Sequence, residues 1–461
     1  MTGITSILQN YLVRLRAHPS GLPHPKQERI KQNILQALPF WVASLLTGLL
    51  AVGYAMLFAM TEKYMLSLIH LSRWYLFILS PTCFLISWWL VKKFAPAANG
   101  SGIPQVIAAI RFANPRQQNL VNILLNIKII FIKILSSLFM VFGGGAVGRE
   151  GPTIQLAGSV FWSVNKILPR TWAKISKRNI IVAGAAAGLA AAFNTPLGGI
   201  VFAVEELASN HLSYFRTAIF TAVIIAGLTA QSILGPYLYL GYPKVDHLSN
   251  FVVFYVILVA VVAGFCGKGL SMMILKVIEL KRTYLPAKYL PYYILFIGLV
   301  TAAIAFFLGN TVLGSGKELM QNVLFGANKY VGFRACLLRI IGPVLSYSVG
   351  GAGGVFAPAL SAGAAVGSVV AQISNLVGAN ANMLILAGMV AFLTGVTQSP
   401  FTSAILVLEM TDQHNLIIYL MLAGMISGLI SSLLDKRSFY THLEHIIIHD
   451  IEEDQKSDDQ K

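Results

Sequence analysis

The sequence predicts an all-α polytopic membrane protein built from two related halves, and three observations predict it. Hydrophobic residues make up 56% of the 461, charged residues only 11%, and mean hydropathy is +0.70; a soluble domain of this length does not look like that. Long apolar stretches recur near residues 34–60, 64–91, 119–142, 179–204, 217–235, 251–275, 290–309, 354–375, 382–408 and 416–434, and a spanning helix needs about 20 such residues. The chain also repeats itself. At an offset of 206, Gly144, Gly145, Ala146, Gly148 and Pro152 fall on Gly350, Gly351, Ala352, Gly354 and Pro358. At an offset of 204, Asn194-Thr-Pro196 through Glu205 falls on Gln398-Ser-Pro400 through Glu409. Two matches in the same order mark a duplication.

Taken in order, residues 1–33 are polar and lack a signal-peptide pattern, which makes them a cytoplasmic N-terminal segment. Residues 34–240 form the first membrane repeat and 250–445 the second, ending in a cytoplasmic helix; 446–461 form a short charged tail, disordered over Ile451–Lys461. The apolar stretches differ in length and several are broken by Gly or Pro, so the spans are expected to be tilted and discontinuous. Gly184/Gly188 and Gly363/Gly367 are spaced for close helix packing.

A net charge of +16 raises nucleic acid as a partner, but the basic residues sit at the ends of apolar runs and exclude that reading. Arg14, Arg16, Lys26, Arg29 and Lys31 precede the first span, and Lys166, Arg170, Lys174, Lys177 and Arg178 form a second cluster; both are expected to face the cytoplasm. Cys83, Cys266 and Cys336 are isolated and offer neither a disulfide framework nor metal-ligand spacing. No cofactor is expected.

Acids are scarce. Between Lys63 and Val245 only Glu150, Glu205 and Glu206 occur. Ionisable groups at membrane depth are costly and mark ion or proton pathways. Glu150 lies in GGGAVGREGPT (Gly143–Thr153), where glycines permit close approach of backbone to a ligand. Three segments share one pattern, small residues and then Pro just inside a helix: Ser101-Gly-Ile-Pro104, Glu150-Gly-Pro152 and Phe356-Ala-Pro358. Such N-termini carry unpaired N–H groups and a partial positive charge, so their convergence would cradle an anion. In the repeat alignment Glu150 faces Phe356 and Glu206 faces Met410; the scaffold is symmetric and the titratable path is not. A membrane hydrolase, the competing class, would need a nucleophile with a base or a metal motif, and neither is present; the chain is read as a non-enzyme.

GSGIP (Gly100–Pro104), GREGP (Gly148–Pro152), FNTPLGGIVFAVEE (Phe193–Glu206) and GGVFAP (Gly353–Pro358), in this order, resemble the CLC chloride channel and transporter family over about residues 34–445. The resemblance implies two inverted-topology repeats around an anion pore in each subunit, a homodimer in the bilayer, and a multi-pass protein of a bacterial inner membrane with both termini cytoplasmic. It implies chloride and protons as substrates, exchanged by a secondary antiporter. Ser101 would be the central chloride ligand, Val355 and Phe356 would give backbone N–H donors, and Tyr440 a phenolic hydroxyl. Gly102, Ile103, Gly148, Arg149 and Gly151 complete the anion-binding set. Glu150 would be the gating and external proton glutamate. Glu206 would be the internal one, which the family's channels replace with an apolar residue.

Adjacent residues on a helix point about 100° apart, so Glu205 and Glu206 cannot share one path, and spacing alone does not choose between them. Gln105 stands where the family commonly has Glu, which alters either the inner proton route or a structural contact. Ser101 argues against nitrate preference, and with GREGP against the fluoride-exporting branch. No nucleotide-sensing domain follows, so no nucleotide is expected as partner. His442, His445 and His449 share a helix face, read as solvated rather than metal-binding. The alternative within transport is an uncoupled chloride channel.

Overall fold

The computed structural model describes residues 25–114, 116–167, 176–207, 216–235, 238–249 and 251–459. Of the basic clusters, Arg14, Arg16, Arg170 and Lys174 lie outside the described residues. The described residues form eighteen α-helices and no β-strand. The first half holds α1 (Pro25–Leu71), α2 (Leu76–Phe94), α3 (Ile103–Phe112), α4 (Gln118–Leu124), α5 (Ile127–Phe142), α6 (Glu150–Ile167), α7 (Lys177–Phe193), α8 (Pro196–Phe202) and α9 (Arg216–Leu234). The second holds α10 (Val252–Tyr284), α11 (Leu290–Leu308), α12 (Lys317–Phe325), α13 (Phe333–Val349), α14 (Phe356–Ile373), α15 (Gly378–Thr397), α16 (Pro400–Thr411) and α17 (Ile417–Leu434), and α18 (Phe439–Asp459) closes the chain. Lengths run in parallel: α2 and α11 have 19 residues each, α6 and α14 have 18 each.

Five apolar stretches differ from their expected limits, each for a local reason. Thr61-Glu62-Lys63 does not separate two spans; α1 runs through it, because Thr61 Oγ1 bonds back to Leu57 O at 2.8 Å and Glu62 reaches Ser315. The stretch 119–142 is broken at Asn126, whose side chain accepts from Ile129 N at 2.9 Å and caps α5. The stretch 179–204 is broken at Asn194 (φ 58°), as its repeat partner Gln398 (φ 59°) breaks 382–408. The C-terminal segment expected to be disordered continues α18 through Asp459, with Arg282 forking onto Asp450 at 2.8 and 2.5 Å.

Among the described residues, nine spans are long and apolar enough to cross a bilayer, and they sort by burial. The Phe356–Ile373 and Gly378–Thr397 spans are 83% and 89% buried, whereas the other seven are 33–44% buried and turn Leu45, Phe131, Phe296 and Leu433 outward as lipid would require. Glycine lets the central pair approach: a Cβ on Gly363 would lie 2.3 Å from Gly388 O, and one on Gly367 2.3 Å from Leu384 O. Gly184 and Gly188 seat α7 on Phe161 and Ala157 of α6 in the same way.

Reciprocal hydrogen bonds relate the halves. Gly148 and its repeat partner Gly354 each donate to the other's carbonyl at 2.8 Å, the exchange that a two-fold axis between them requires. Ala146 N donates to Ser346 Oγ (2.7 Å) and Ala352 N to Ser136 Oγ (2.9 Å). Glu409 accepts from Leu197 N and Gly198 N at the start of α8 (3.0 and 2.7 Å). Glu205 accepts from Phe401 N and Thr402 N at the start of α16 (3.1 and 2.6 Å). Each half thus caps a helix of the other.

Candidate functional site

The starts of α3, α6 and α14 meet through these glycine segments. Gly100 N donates to Gly351 O at 2.8 Å and Gly353 N to Gly100 O at 3.0 Å, which ties the approach to α3 to that of α14. Gly102 caps α3 at φ 102°, a conformation that disfavours any residue with a Cβ, and Pro104 follows in the first turn. A Cβ on Gly151 would lie 2.2 Å from Ser101 Oγ, and one on Gly354 3.1 Å from Gly151 N, so the three helix starts are in contact. The first N–H groups of each helix have no intrahelical acceptor and face this point.

Ser101, Gly102, Ile103, Gly148, Glu150, Gly151, Val355, Phe356 and Tyr440 are all buried, and Arg149 lies at the edge of burial. The structure brings the expected set together. Tyr440 opens α18 with its ring stacked on Phe356 (centroids 6.2 Å, planes at 11°) and lies close enough to Ser101 for the two hydroxyls to influence each other. Among the described residues, Ser101 Oγ and Tyr440 OH are both buried without a hydrogen-bond partner. Two hydroxyls without a well-formed acceptor, beside three helix starts, are the kind of donors an anion takes up. The Arg149 side chain turns away, donating to Ala192 O at 3.4 Å.

Glu150 begins α6 with its carboxyl folded over Gly148, where a Cβ would stand 2.4 Å from Oε2. Oε1 accepts from Tyr239 OH at 3.4 Å, and among the described residues Oε2 is buried without a partner. Tyr239 packs edge-on to Phe193, Phe193 tilts against Phe356, and Phe356 stacks on Tyr440, an aromatic line from Glu150 to Tyr440. Lys317 Nζ sits 4.6 Å above the Tyr239 ring and lines a cavity of about 710 Å³ with Glu62 and Arg339. A second cavity of about 210 Å³, lined by Gly100, Gln105, Lys281 and Tyr347, reaches the Ser101 segment beside α18.

Glu205 and Glu206 lie in a π-helical turn, Ala203–Leu207, rather than in an α-helix. Glu205 is spent on capping α16, and its repeat partner Glu409 caps α8. Glu206, whose repeat partner is Met410, accepts from Ser399 Oγ at 2.5 Å. A narrow enclosed space lined by Ser399, Phe202, Phe356 and Tyr440 lies between Glu206 and the orphaned Tyr440 hydroxyl. Gln105 makes a structural contact: its Nε2 donates to Asn99 O and Oδ1, both at 2.8 Å.

Several residues at the site carry no advance signal. Tyr239 and Ser399 touch the two acids, and Tyr347 OH accepts from Ser101 N at 2.9 Å. A second copy of the first helix start was legible and missed. Gly314-Ser-Gly316 precedes α12 as Gly100-Ser-Gly102 precedes α3, with φ of 65° and 84° against 55° and 102°. Buried cations support both copies: Lys133 donates to Asn99 O (3.2 Å), and its repeat partner Arg339 to Leu313 O (2.8 Å). In the second copy Glu62 accepts from Ser315 N (2.6 Å) and Oγ (3.1 Å). Among the described residues, His442, His445 and His449 do not come together in one metal-sized group. His449 is grouped with Asp450 and Glu453, but Arg282 holds Asp450.

Helix starts meeting at buried hydroxyls, within two related sets of apolar helices, define an integral multi-pass membrane protein. The family model described as "Voltage gated chloride channel" matches residues 83–432, and the chain belongs to that family. It is 25% identical over 464 residues to the H(+)/Cl(-) exchange transporter ClcA of Salmonella typhi, covering 95% of this chain and 94% of the relative. The ClcA of Salmonella agona (strain SL483) is likewise 25% identical, over 457 residues, with the same coverage. Among solved structures, a slow cyanobacterial Cl-/H+ antiporter superposes with TM-score 0.79 at 22% identity, covering 93% of this chain and 99% of that one. A CLC-type fluoride/proton antiporter gives 0.73 at 19% identity over 88% and 96%.

Proposed function

We propose that the protein is a secondary antiporter that exchanges chloride for protons through a pore within each subunit. Chloride is held by Ser101 Oγ, Tyr440 OH and the N–H groups of Val355 and Phe356, with Gly102, Ile103, Gly148, Arg149 and Gly151 forming the surrounding backbone. Glu150 is the gate and outer proton carrier. Its carboxylate competes with chloride for the same donors, and protonation releases it. Glu206 is the inner proton carrier. The observation that carries this reading is the asymmetry at Glu206, a half-buried acid where the second half has Met410, lining the same narrow space as Tyr440. The 25% identical relatives named as H(+)/Cl(-) exchange transporters point the same way. The same proposal places the protein in a bacterial inner membrane as a homodimer with both termini in the cytoplasm.

An uncoupled chloride channel is the alternative, and reversal potential decides. In proteoliposomes with equal chloride on both sides, a proton gradient is expected to displace the reversal potential of the wild type. In Glu206→Val anion flux is expected to persist with no such displacement. A wild-type reversal potential that follows chloride alone would establish the channel.

A further inference from the structure

We propose that Ser399 is the positioning residue for Glu206, its hydroxyl serving the carboxyl in both protonation states and so setting the inner proton step. The proposal rests on the exchange reading above. Ser399 occupies the N-cap of α16 and is buried, with φ −117° and ψ 79°. Its repeat partner Thr195 caps α8 in nearly the same conformation, φ −127° and ψ 82°. An N-cap hydroxyl ordinarily accepts from its own helix. Neither of these does, because carboxylates cap both helices instead. Glu205 accepts from Phe401 N, Thr402 N and Thr402 Oγ1, and Glu409 serves α8.

The two released hydroxyls then differ. Thr195 Oγ1 is buried without a partner among the described residues, and the repeat partner of Glu206 is the apolar Met410. Ser399 Oγ donates to Glu206 Oε2 at 2.5 Å, and the Thr397 carbonyl lies 3.5 Å from the same hydroxyl. This geometry supplies two arrangements. With Glu206 ionised, the serine hydrogen points to Oε2. When Oε2 takes up one proton delivered from the inner solution as hydronium, which leaves as water, the new O–H donates to Ser399 Oγ and the serine hydrogen turns to Thr397 O. One proton enters, the carboxylate charge is neutralised, and neither state leaves the pair unsatisfied.

The remaining charged groups that act on Glu206 are its neighbour Glu205 and Glu444 of α18, which pairs with Arg111 at 2.6 Å. Neither is a donor to Glu206. Among the described residues, no side-chain hydrogen bond other than that of Ser399 reaches it.

The test measures chloride and proton movement together in proteoliposomes holding the wild type, Ser399→Ala and Ser399→Thr, over a series of internal pH values. Ser399→Ala is expected to lower the proton-to-chloride ratio about tenfold and to move the midpoint of the internal-pH dependence up by about 1 unit, because the ionised carboxyl loses its donor. Ser399→Thr, which the backbone accepts as it accepts Thr195, is expected to restore both. A folded Ala variant with wild-type ratio and midpoint overturns the proposal while leaving exchange intact. If the Ala variant does not fold, Ser399→Cys carries the same expectation, a weak donor giving a partial shift; a wild-type profile there overturns it too. A wild type that moves no protons overturns this proposal together with the exchange reading.

Discussion

Gly151 is a residue whose side chain is excluded by the site it borders. A methyl there would stand 2.2 Å from Ser101 Oγ and 2.9 Å from Ser101 O; the hydroxyl can turn away but the backbone carbonyl cannot. Gly151→Ala is expected to push the Ser101 hydroxyl aside and weaken bromide binding about tenfold, measured by isothermal titration calorimetry, at a strain cost of about 1–3 kcal/mol in stability. Unchanged affinity would remove Ser101 from the anion site. The acids and glycines of the site were legible because both are conspicuous in an apolar chain: three acids across a long membrane region, and glycines next to helix-starting prolines. Tyr239, Tyr347 and Ser399 were not. Their contacts, to Glu150, Ser101 and Glu206, cross 89, 246 and 193 residues, and tyrosine or serine is ordinary at any point of such a chain.

Among the helices, the reciprocal capping by Glu205 and Glu409 gives both acids a structural task. Both carboxylates supply acceptors for N-terminal N–H groups that have no intrahelical partner. Glu205→Ala is expected to lower stability by about 1–3 kcal/mol by stranding those donors, seen as a lower melting temperature in detergent, with the proton-to-chloride ratio unchanged. Glu206→Val is expected to behave in the opposite sense. A Glu205→Ala variant that melts like the wild type but loses coupling would exchange the two assignments. Composition and the matches at Gly144–Pro152 and Asn194–Glu205 were enough for the duplicated helical architecture. The third match, Gly100-Ser-Gly102 with Gly314-Ser-Gly316, escaped notice because its offset is 214 rather than 206. The unbroken α1 escaped because Thr61-Glu62-Lys63 looks like a loop until Glu62 is seen to find Ser315 across 253 residues.

Across the whole molecule, Asp435 joins parts of the second half that are far apart in the chain and leads into the helix bearing Tyr440. Its Oδ2 pairs with Lys268 Nζ of α10 at 3.1 Å and with His442 Nε2 of α18 at 2.9 Å. Its Oδ1 accepts from Arg437 N at 3.0 Å, and its carbonyl accepts from Gln398 Nε2, at the corner before α16, at 2.7 Å. Burial alone would raise the carboxyl, but the Arg437 N–H, Lys268 and His442 outweigh it and bring the group from 3.8 down to about 2. A carboxyl held lower in the folded than in the unfolded chain adds stability that is complete above its unfolded value and is lost as pH falls through its folded one. Here the window runs from 3.8 down to about 2. Discounted for the solvent that reaches this partly exposed carboxylate, the term is on the order of 1 kcal/mol. Asp435→Asn is therefore expected to melt below the wild type at neutral pH, with the gap narrowing as acid titrates the wild type through that window. The contact to the buried Lys268 ammonium is part of that same pH-dependent loss, because protonating the wild-type carboxyl weakens it as well. An Asp435→Asn variant that melts like the wild type at neutral pH would show that the hub is held by the Asp435 and Arg437 carbonyls rather than by the carboxylate.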